Sequence, residues 1–152
     1  MKINIISVGK IKEKYFTEAI DEYKKRLSRY CDFKIVEVDE ASKIENISKK
    51  SELEGKLLLE KCSGVIVALD GKGKMLSSPE IADYIDRKKT QGMSEISFVI
   101  GGSNGLSDEV IRKADLVLSF GKVTYPHQLF RVILSEQIYR AFTILDNLPY
   151  HK

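Results

Sequence analysis

Four short apolar runs constrain the fold of this chain more than any other feature of its sequence. They are residues 3–8 (INIISV), 64–70 (GVIVALD), 95–102 (EISFVIGG) and 116–121 (LVLSFG). Continuous apolar runs of this length, rich in β-branched residues, are typical of strands that are covered on both faces. A fifth segment, residues 33–38 (FKIVEV), alternates apolar and polar residues and predicts a strand with one covered face.

Helical patterns separate these strands. Apolar residues recur at helical spacing over residues 13–30 and again over residues 128–145. The polar segment 39–62 predicts a loop followed by a helix, which Gly55 is expected to interrupt. Two further helices are predicted from their first residues, namely Ser78 as a cap followed by Pro79, and Ser107 as the cap of a short helix.

Strands that alternate with helices predict an α/β fold, with a mostly parallel sheet and helices on both faces. The length of 152 residues suits a single domain covering residues 1–152. In such sheets ligands bind beyond the carboxyl ends of the strands. The turns that follow the strands are therefore where functional residues are expected.

The last predicted helix is apolar on more than one side. One stripe along it consists of Phe130, Ile133, Leu134, Ile138, Ala141, Phe142 and Leu145, and a second side carries Leu129, Val132 and Tyr139. Such a helix is either sandwiched inside the fold or shared with a second chain. The pattern alone leaves both alternatives open.

Composition and charge exclude several classes. Hydrophobic residues at 43% and charged residues at 31% are normal for a soluble globular protein. No uncharged run is long enough for a membrane span, and the first residues lack a signal-peptide core, so we expect a cytoplasmic protein that contacts no membrane. The cysteines, Cys31 and Cys62, have no CxxC spacing, so we expect buried, reduced thiols and no metal site.

The net charge of +3 permits contact with nucleic acid but is mild for a protein dedicated to binding duplexes. Seven basic residues cluster between residues 10 and 29, within the first fifth of the chain: Lys10, Lys12, Lys14, Lys24, Lys25, Arg26 and Arg29. A solvated helix face and an edge that contacts RNA are both compatible with this cluster.

Three turns after strands carry glycine: residues 70–74 (DGKGK), 101–105 (GGSNG) and 120–126 (FGKVTYP). Glycine permits positive φ and lets the backbone approach a ligand closely. One such turn is ordinary in α/β proteins, but three at the same edge of a sheet indicate a pocket for a small molecule. None matches the P-loop, GxGxxG or GxSxG patterns. The sequence therefore predicts an organic ligand held by backbone amides and apolar walls.

The two histidines lie in distinctive places. His127 follows Pro126 at the start of the last helix, and Arg131 lies one turn later on the same side. The imidazole could accept a proton and the guanidinium could hold a phosphate or an enolate oxygen, or else His127 caps the helix and Arg131 forms a surface ion pair. His151 lies in the terminal residues 149–152 (PYHK), which suit stacking on a base and binding its phosphate, or form a docked, solvated chain end.

Several motifs together resemble one family across nearly the whole chain. They are ISVGKIKEKY (6–15), LDGKGKMLSSPEIA (69–82), FVIGGSNGL (98–106), LSFGKVTYPHQLFRVILSEQIYRAF (118–142) and the terminal PYHK. Their order and spacing are similar to those of the ribosomal RNA large subunit methyltransferase H family, within the SPOUT superfamily. The resemblance implies a C-terminal trefoil knot, a homodimer, and methylation by S-adenosylmethionine of N3 of a pseudouridine in 23S rRNA on the assembled ribosome.

The resemblance also implies roles for particular residues. Cofactor contacts are expected from Leu69, Gly101, Phe120, Gly121, Lys122, Val123, Thr124 and Tyr125, and active-site groups from His127, Arg131, Tyr150, His151 and Lys152. Members of the family often end in arginine, whereas this chain ends in Lys152, which keeps the charge but not the bidentate geometry.

Methyl transfer to a ring nitrogen requires that the nitrogen lose its proton. Either His127 or His151 is a candidate general base, and Arg131 or Lys152 could stabilise the developing negative charge. Two other classes of function remain open at this point. They are an RNA-binding or assembly factor that keeps the fold without catalysis, and a small-molecule sensor.

Overall fold

The chain alternates strands and helices along its whole length. The computed structural model describes residues 1–152. The elements are β1 (Lys2–Val8), α1 (Lys14–Leu27), β2 (Asp32–Val38), α2 (Ile47–Lys61), β3 (Val65–Met75), α3 (Ser78–Thr90), β4 (Glu95–Ile100), α4 (Asp108–Lys113), β5 (Leu116–Ser119) and α5 (His127–Leu145). None of the five helices combines the length and the apolar character that crossing a bilayer requires.

The five strands form one sheet in the order β2-β1-β4-β3-β5, and every neighbouring pair is parallel. The predicted α/β fold is confirmed, and the sheet is wholly rather than mostly parallel. Strand β1 pairs along nearly its whole length on both sides, with β2 and with β4. All carboxyl ends therefore meet at one edge, which is the edge that matters for ligand binding.

Helices cover both faces of the sheet, as predicted. On one face, Ile5 of β1 and Phe98 of β4 belong to a core of 19 buried residues to which α1, α3 and α5 contribute. On the other face, Ile6 of β1 and Val99 of β4 belong to a core of 7 buried residues, together with side chains of α2 and α4. Successive residues of a strand point to opposite faces, so each apolar run supplies both cores.

Helix α5 packs against both α1 and α3 on the larger face. This packing accounts for most of its apolar residues, including Leu134 and Ile138, which are fully buried. Three others, Leu129, Val132 and Ile133, are only half-buried and belong to neither core. The helix is thus sandwiched inside the fold along one side, while its outward side remains apolar in its first half.

The start of α3 corrects one prediction. Ser77 rather than Ser78 is the N-cap, because the Ser77 hydroxyl accepts from the amide of Glu80 and the Glu80 carboxylate accepts from the amide of Ser77. This reciprocal pair is a capping box, whose S-x-x-E pattern is present in the sequence. Ser78 instead donates to Oε1 of Gln137 at 2.7 Å, joining α3 to α5. Ser107 caps α4 as predicted.

Two other elements differ from the prediction. Gly55 does not interrupt α2, which runs through it. Gly55 is buried, and a Cβ there would collide with Ser107, so the absence of a side chain lets α2 approach the start of α4. Strand β3 continues to Met75, since Lys74 and Met75 pair with β5 after an irregularity in the register. The predicted glycine turn 70–74 is therefore part of a strand extension.

Candidate functional site

The carboxyl ends of β4 and β5 and the middle of β3, before its extension, open onto one cavity of about 340 Å³. Its wall is formed by residues 69–71, 100–103, 105, 118 and 120–125, together with His127 and Phe130 of α5. These are the three glycine-containing segments that the sequence indicated, although the first of them belongs to β3 rather than to a turn. The volume lies in the ordinary range for sites that hold small molecules.

A broader groove of about 780 Å³ lies at the opposite edge of the sheet, beside the amino ends of β1, β2 and β4. It is wide open, and its lining includes the charged residues Lys2, Lys24, Arg29, Asp32 and Glu95. Ligands of parallel α/β sheets bind at the carboxyl edge. The smaller cavity is therefore the candidate site.

Aromatic contacts fix one wall of the cavity. The rings of Phe120 and Phe130 meet edge to face with centroids 5.0 Å apart, and the ring of Tyr125 lies 5.4 Å from that of Phe130. These contacts hold the segment 120–125 against the first turn of α5. Together with Leu69 and Ile100 they give the cavity apolar surfaces suited to a flat ring system.

The same segment offers polar backbone groups. Gly121 has a φ of +104°, a left-handed conformation that favours glycine, and its amide donates to the buried hydroxyl of Ser119 at 3.1 Å. That hydroxyl also lies 3.3 Å from the carbonyl oxygen of Gly71, which ties two of the three turns together. The amides of residues 122–125 donate no hydrogen bond within the chain. Free amides beside apolar walls fit a nucleoside-like ligand with polar substituents.

The turn after β4 is closely packed. A Cβ on Gly101 would lie 2.6 Å from both the carbonyl carbon and the carbonyl oxygen of Gly105, so no side chain fits there. Beneath this turn lies the buried carboxylate of Glu54, whose Oε1 accepts from the amide of Ala41 at 3.1 Å. Its Oε2 is 2.8 Å from the position of a Cβ on Gly102. Glu54 thus supports the floor of the turn, a role that sequence reasoning missed because α2 showed no functional pattern.

The eight residues to which the resemblance gives cofactor contacts all line this cavity: Leu69, Gly101, Phe120, Gly121, Lys122, Val123, Thr124 and Tyr125. His127 lines it as well, as the first residue of α5. The structure therefore brings these nine positions together around one space.

Arg131 lies elsewhere. It is 1% exposed, and its guanidinium is bound to Glu37 and to the backbone rather than facing the cavity. NH1 donates to Oε2 of Glu37 at 3.0 Å and NH2 donates to the carbonyl oxygen of Val8 at 2.7 Å. Burial lowers the pKa of Arg131, and the Glu37 carboxylate opposes that shift. The sequence allowed a ligand contact or a surface ion pair, and the structure has an ion pair between the buried Arg131 and the partly exposed Glu37.

The terminal residues fold back along α5 and bind its polar side chains. The Tyr150 hydroxyl donates to Oε1 of Glu136 at 3.0 Å, and Arg140 donates to the same oxygen at 2.6 Å. NH1 of Arg140 lies 3.1 Å from Nδ1 of His151. Desolvation and then the hydrogen bond to Glu136 raise the pKa of Tyr150 to about 12. Lys152 is exposed.

Glu136 and Arg140 were missed in the sequence, although their i, i+4 spacing is a visible signal for a pair on one helix face. Arg140 lies 13 residues after His127, which is about 20 Å along a helix at 1.5 Å per residue. The terminal cluster of Glu136, Arg140, Tyr150 and His151 is therefore remote from the cavity of its own chain.

The cysteines form no disulfide, and Cys31 is buried while Cys62 is half-buried. Burial raises the pKa of each thiol to about 11. The structure contains no group of three or more His, Cys, Asp or Glu side chains that could hold a metal ion.

Comparison with known proteins assigns the family. The sequence model described as "Predicted SPOUT methyltransferase" matches residues 1–151. The protein named ribosomal RNA large subunit methyltransferase H 1 from Clostridium perfringens (strain SM101 / Type A) is 53% identical over the full length of both chains, and so is ribosomal RNA large subunit methyltransferase H from Clostridium botulinum (strain Okra / Type B1).

A solved structure supports the fold alone. The probable methylase family protein from Haemophilus influenzae Rd KW20 superposes with a TM-score of 0.53 at 14% identity, over 99% of this chain and 70% of that chain. With the family match extending over residues 1–151 and the full-length identity of 53%, the chain belongs to the SPOUT methyltransferase family.

Proposed function

We propose that this SPOUT methyltransferase uses S-adenosylmethionine to methylate N3 of a pseudouridine in 23S rRNA, in the cytoplasm and on the assembled ribosome. One observation carries the proposal. The eight positions that the family resemblance links to the cofactor surround a single cavity, and His127 lies at its border. The C-terminal trefoil knot implied by the resemblance is part of the same proposal.

The cavity fits the cofactor. Its apolar walls, including Leu69 and Phe120, would cover the adenine ring, and the free amides of residues 122–125 would bind polar groups of the nucleoside and amino-acid portions. When bound, S-adenosylmethionine supplies an electrophilic methyl group on a sulfonium. The protein contributes by positioning, because in-line displacement depends on holding the reacting atoms close and aligned.

The substrate nitrogen must lose its proton before it attacks. His127 borders the cavity and is one candidate base. His151 is the other, and Arg140 donates to its Nδ1 at 3.1 Å. This contact orients the ring and places its proton on Nε2, so it must open before His151 can accept a proton from the substrate. A cation beside the base lowers the cost of the negative charge that develops on the substrate, and Arg140 and Lys152 are the cations nearest to His151 in the chain.

A homodimer would reconcile these two locations. The terminal cluster lies about 20 Å along α5 from His127, so His127 and the terminal cluster of one chain cannot both contact the same nucleotide. The outward side of α5 carries the half-buried apolar residues Leu129, Val132 and Ile133. If two copies pack through these residues, the tail of one can reach the cavity of the other.

Recognition of RNA would come from shape and from ribosomal surfaces as much as from charge. The net charge is only +3, and the seven basic residues near the amino terminus are all exposed. A protein with this modest bias does not bind bare RNA tightly through phosphates alone. We therefore expect much lower activity on naked 23S rRNA than on ribosomes.

Two measurements test the proposal. Calorimetry should give saturable binding of S-adenosylmethionine to the wild type, lost in Gly101→Trp, whose side chain collides with Gly105 and displaces the turn 101–105 that lines the cavity. Transfer of a labelled methyl group to ribosomes that lack the modification should then be observed, and mapped to a pseudouridine. Binding without transfer to any rRNA would reject the substrate, and the absence of both would favour a non-catalytic RNA-binding protein.

A mixing experiment tests the shared site. Gly101→Trp disrupts the cavity and removal of residues 150–152 deletes the tail, so each homodimer should be inactive. A mixed dimer has one intact cavity facing one intact tail if the site is built from two chains. Recovery of up to about a quarter of the wild-type activity on mixing after partial unfolding is then expected, from random re-pairing of subunits. No recovery, with mixed dimers present, would contradict the shared site.

A further inference from the structure

The loop between β1 and α1, residues 9–13, is bound to the first turn of α5. The amide of Lys12 donates to Oε1 of Gln128 at 3.0 Å. One residue earlier, the amide of Ile11 donates to Oε2 of Glu37 at 2.8 Å. These two adjacent links fix the loop against elements that follow it by 26 and 116 residues in the chain.

Glu37 extends the second link to α5. The oxygen that accepts from Ile11 also accepts from NH1 of Arg131 at 3.0 Å, and NH2 of Arg131 donates to the carbonyl oxygen of Val8 at 2.7 Å. The guanidinium thereby joins α5 to the carboxyl ends of both β1 and β2. Arg131 lies four residues after His127, so it holds the helix one turn from the cavity and on the same side.

The first turn of α5 has few local means of stabilisation. Pro126 occupies the N-cap position, no side chain accepts from the free amides there, and the first turn contains no acidic residue. A helix start without these features depends on tertiary contacts for its position. The hydrogen bonds of Gln128 and Arg131 are the polar tertiary contacts that fix the position of this helix start.

Stability alone accounts poorly for the buried guanidinium. Nε of Arg131 is buried without a partner, which carries a desolvation cost. The ion-pair partner of Arg131, Glu37, keeps 36% of its side chain exposed, and an ion pair with one solvated partner contributes little net stability. The guanidinium instead orients α5, because its planar donors fix the angle between this helix and the carboxyl ends of β1 and β2.

We propose that Arg131 and Glu37 are positioning residues, which hold His127 at the border of the cavity without contacting the ligand. Gln128 supplies a second link of the same kind. The consequence for catalysis rests on the proposed function, since a displaced imidazole would alter proton removal or the placement of the target base. The position of His127, which Arg131, Glu37 and Gln128 maintain, does not depend on which RNA is methylated.

Kinetics separate this role from a ligand contact. Lysine at position 131 keeps the charge, but its single ammonium nitrogen lacks the planar fork with which two guanidinium nitrogens hold the two acceptors in fixed directions. Arg131→Lys should therefore lower kcat by roughly 10- to 100-fold, as expected for a small misplacement at a reacting centre. KM for ribosomes and Kd for S-adenosylmethionine should stay within about threefold, because the guanidinium does not line the cavity. A rise in KM with kcat unchanged would overturn the proposal in favour of direct RNA binding.

A second pair of variants avoids the buried charge. Gln128 is half-buried, so Gln128→Leu removes the acceptor for Lys12 without leaving a charge unpaired, whereas Gln128→Glu keeps an acceptor oxygen. Gln128→Leu should lower kcat, and Gln128→Glu should recover most of it. Equal kcat values in the two variants would contradict a role for the hydrogen bond.

The position of His127 can be observed without any reaction. The chain has only two histidines, so ¹³C labelling of the imidazoles gives two ring signals, which His151→Gln assigns. The His127 signal should shift or broaden in Arg131→Lys and Gln128→Leu, while the His151 signal, in the remote terminal cluster, stays in place. An unmoved His127 signal in both variants would overturn the positioning role. Displaced His127 signals in a protein that methylates no ribosome would reject only the proposed function.

Discussion

Substituting Gly101 by alanine gives the sharpest test of how the cavity is built. An ideal Cβ at this position would lie 2.6 Å from two backbone atoms of Gly105, about 0.8 Å closer than ordinary contact. Backbone atoms cannot rotate away, so the turn 101–105 must shift. Overpacking of this kind costs about 1–3 kcal/mol. For a chain of about 150 residues, 2 kcal/mol corresponds to a fall in Tm of roughly 4–8 °C.

The same shift should weaken ligand binding, because the turn 101–105 forms one wall of the cavity. We expect Gly101→Ala to raise the Kd for S-adenosylmethionine at least tenfold by calorimetry. Gly92→Ala is the matched control. Its φ of +85° makes alanine cost about 1–2 kcal/mol, no atom lies within 4 Å of the new Cβ, and Gly92 precedes β4 at the opposite edge of the sheet.

The control should therefore lose stability and keep its affinity. If Gly101→Ala binds with wild-type affinity although it is destabilised, the turn does not shape the binding site and the reasoning is wrong. If Gly92→Ala loses affinity to the same extent, the effect follows from stability rather than from the geometry of the cavity.

Three further predictions concern the cap, the thiols and the tail. Ser77→Ala should cost about 1 kcal/mol in urea unfolding at pH 7. Hydrogen bonds with Ser77 lower the pKa of Glu80, so the ionised Glu80 carboxylate stabilises the fold above pH 4.5 and this contribution is lost as the pH falls below 4.5. The difference in unfolding free energy between the wild type and Glu80→Gln should therefore become smaller in acid. A difference that does not change with pH would argue against the capping box. With thiol pKa values of about 11 instead of 9.0, Cys31 and Cys62 should react with a disulfide reagent at pH 8 roughly 10-fold more slowly in the native than in the unfolded protein, because the loss of thiolate outweighs the higher nucleophilicity of a more basic thiolate; equal rates would contradict their burial. Removing residues 150–152 should leave the Kd for S-adenosylmethionine within about twofold while methylation falls more than 100-fold, whereas a parallel loss of binding would place the tail at the cofactor.

The parts of the fold that depend on local pattern were predictable. Each strand run and each amphipathic helix appears in the structure, because the apolar periodicity records which faces are buried. The extension of β3 was not predictable in this way. Lys74 and Met75 lie in a polar, glycine-rich segment that reads as a turn, and only their pairing with β5, about 44 residues further along the chain, makes them part of a strand.

The candidate site shows the same division. Glycine turns after parallel strands indicated the cavity correctly, because the topology of parallel sheets forces their carboxyl ends together. Arg131 shows where such reasoning stops. Helical spacing puts it on the same side as His127, but the rotation of α5 about its axis, and thus the burial of that side, depends on Glu37, 94 residues away. No local signal identifies that partner.

The position of α5 between α1 and α3 has a consequence for biogenesis. The larger core takes Leu134, Ile138, Ala141 and Phe142 from the last helix to be synthesised, and β1 must find β4 across more than 90 residues. Both contacts are long-range, and such topologies fold slowly, because distant segments must lose chain entropy to meet before the burial of apolar surface stabilises them. The larger core therefore cannot close until α5 has left the ribosome. During synthesis the amphipathic face of α1 stays exposed, so the yield of folded protein should depend on how quickly the final helix is released.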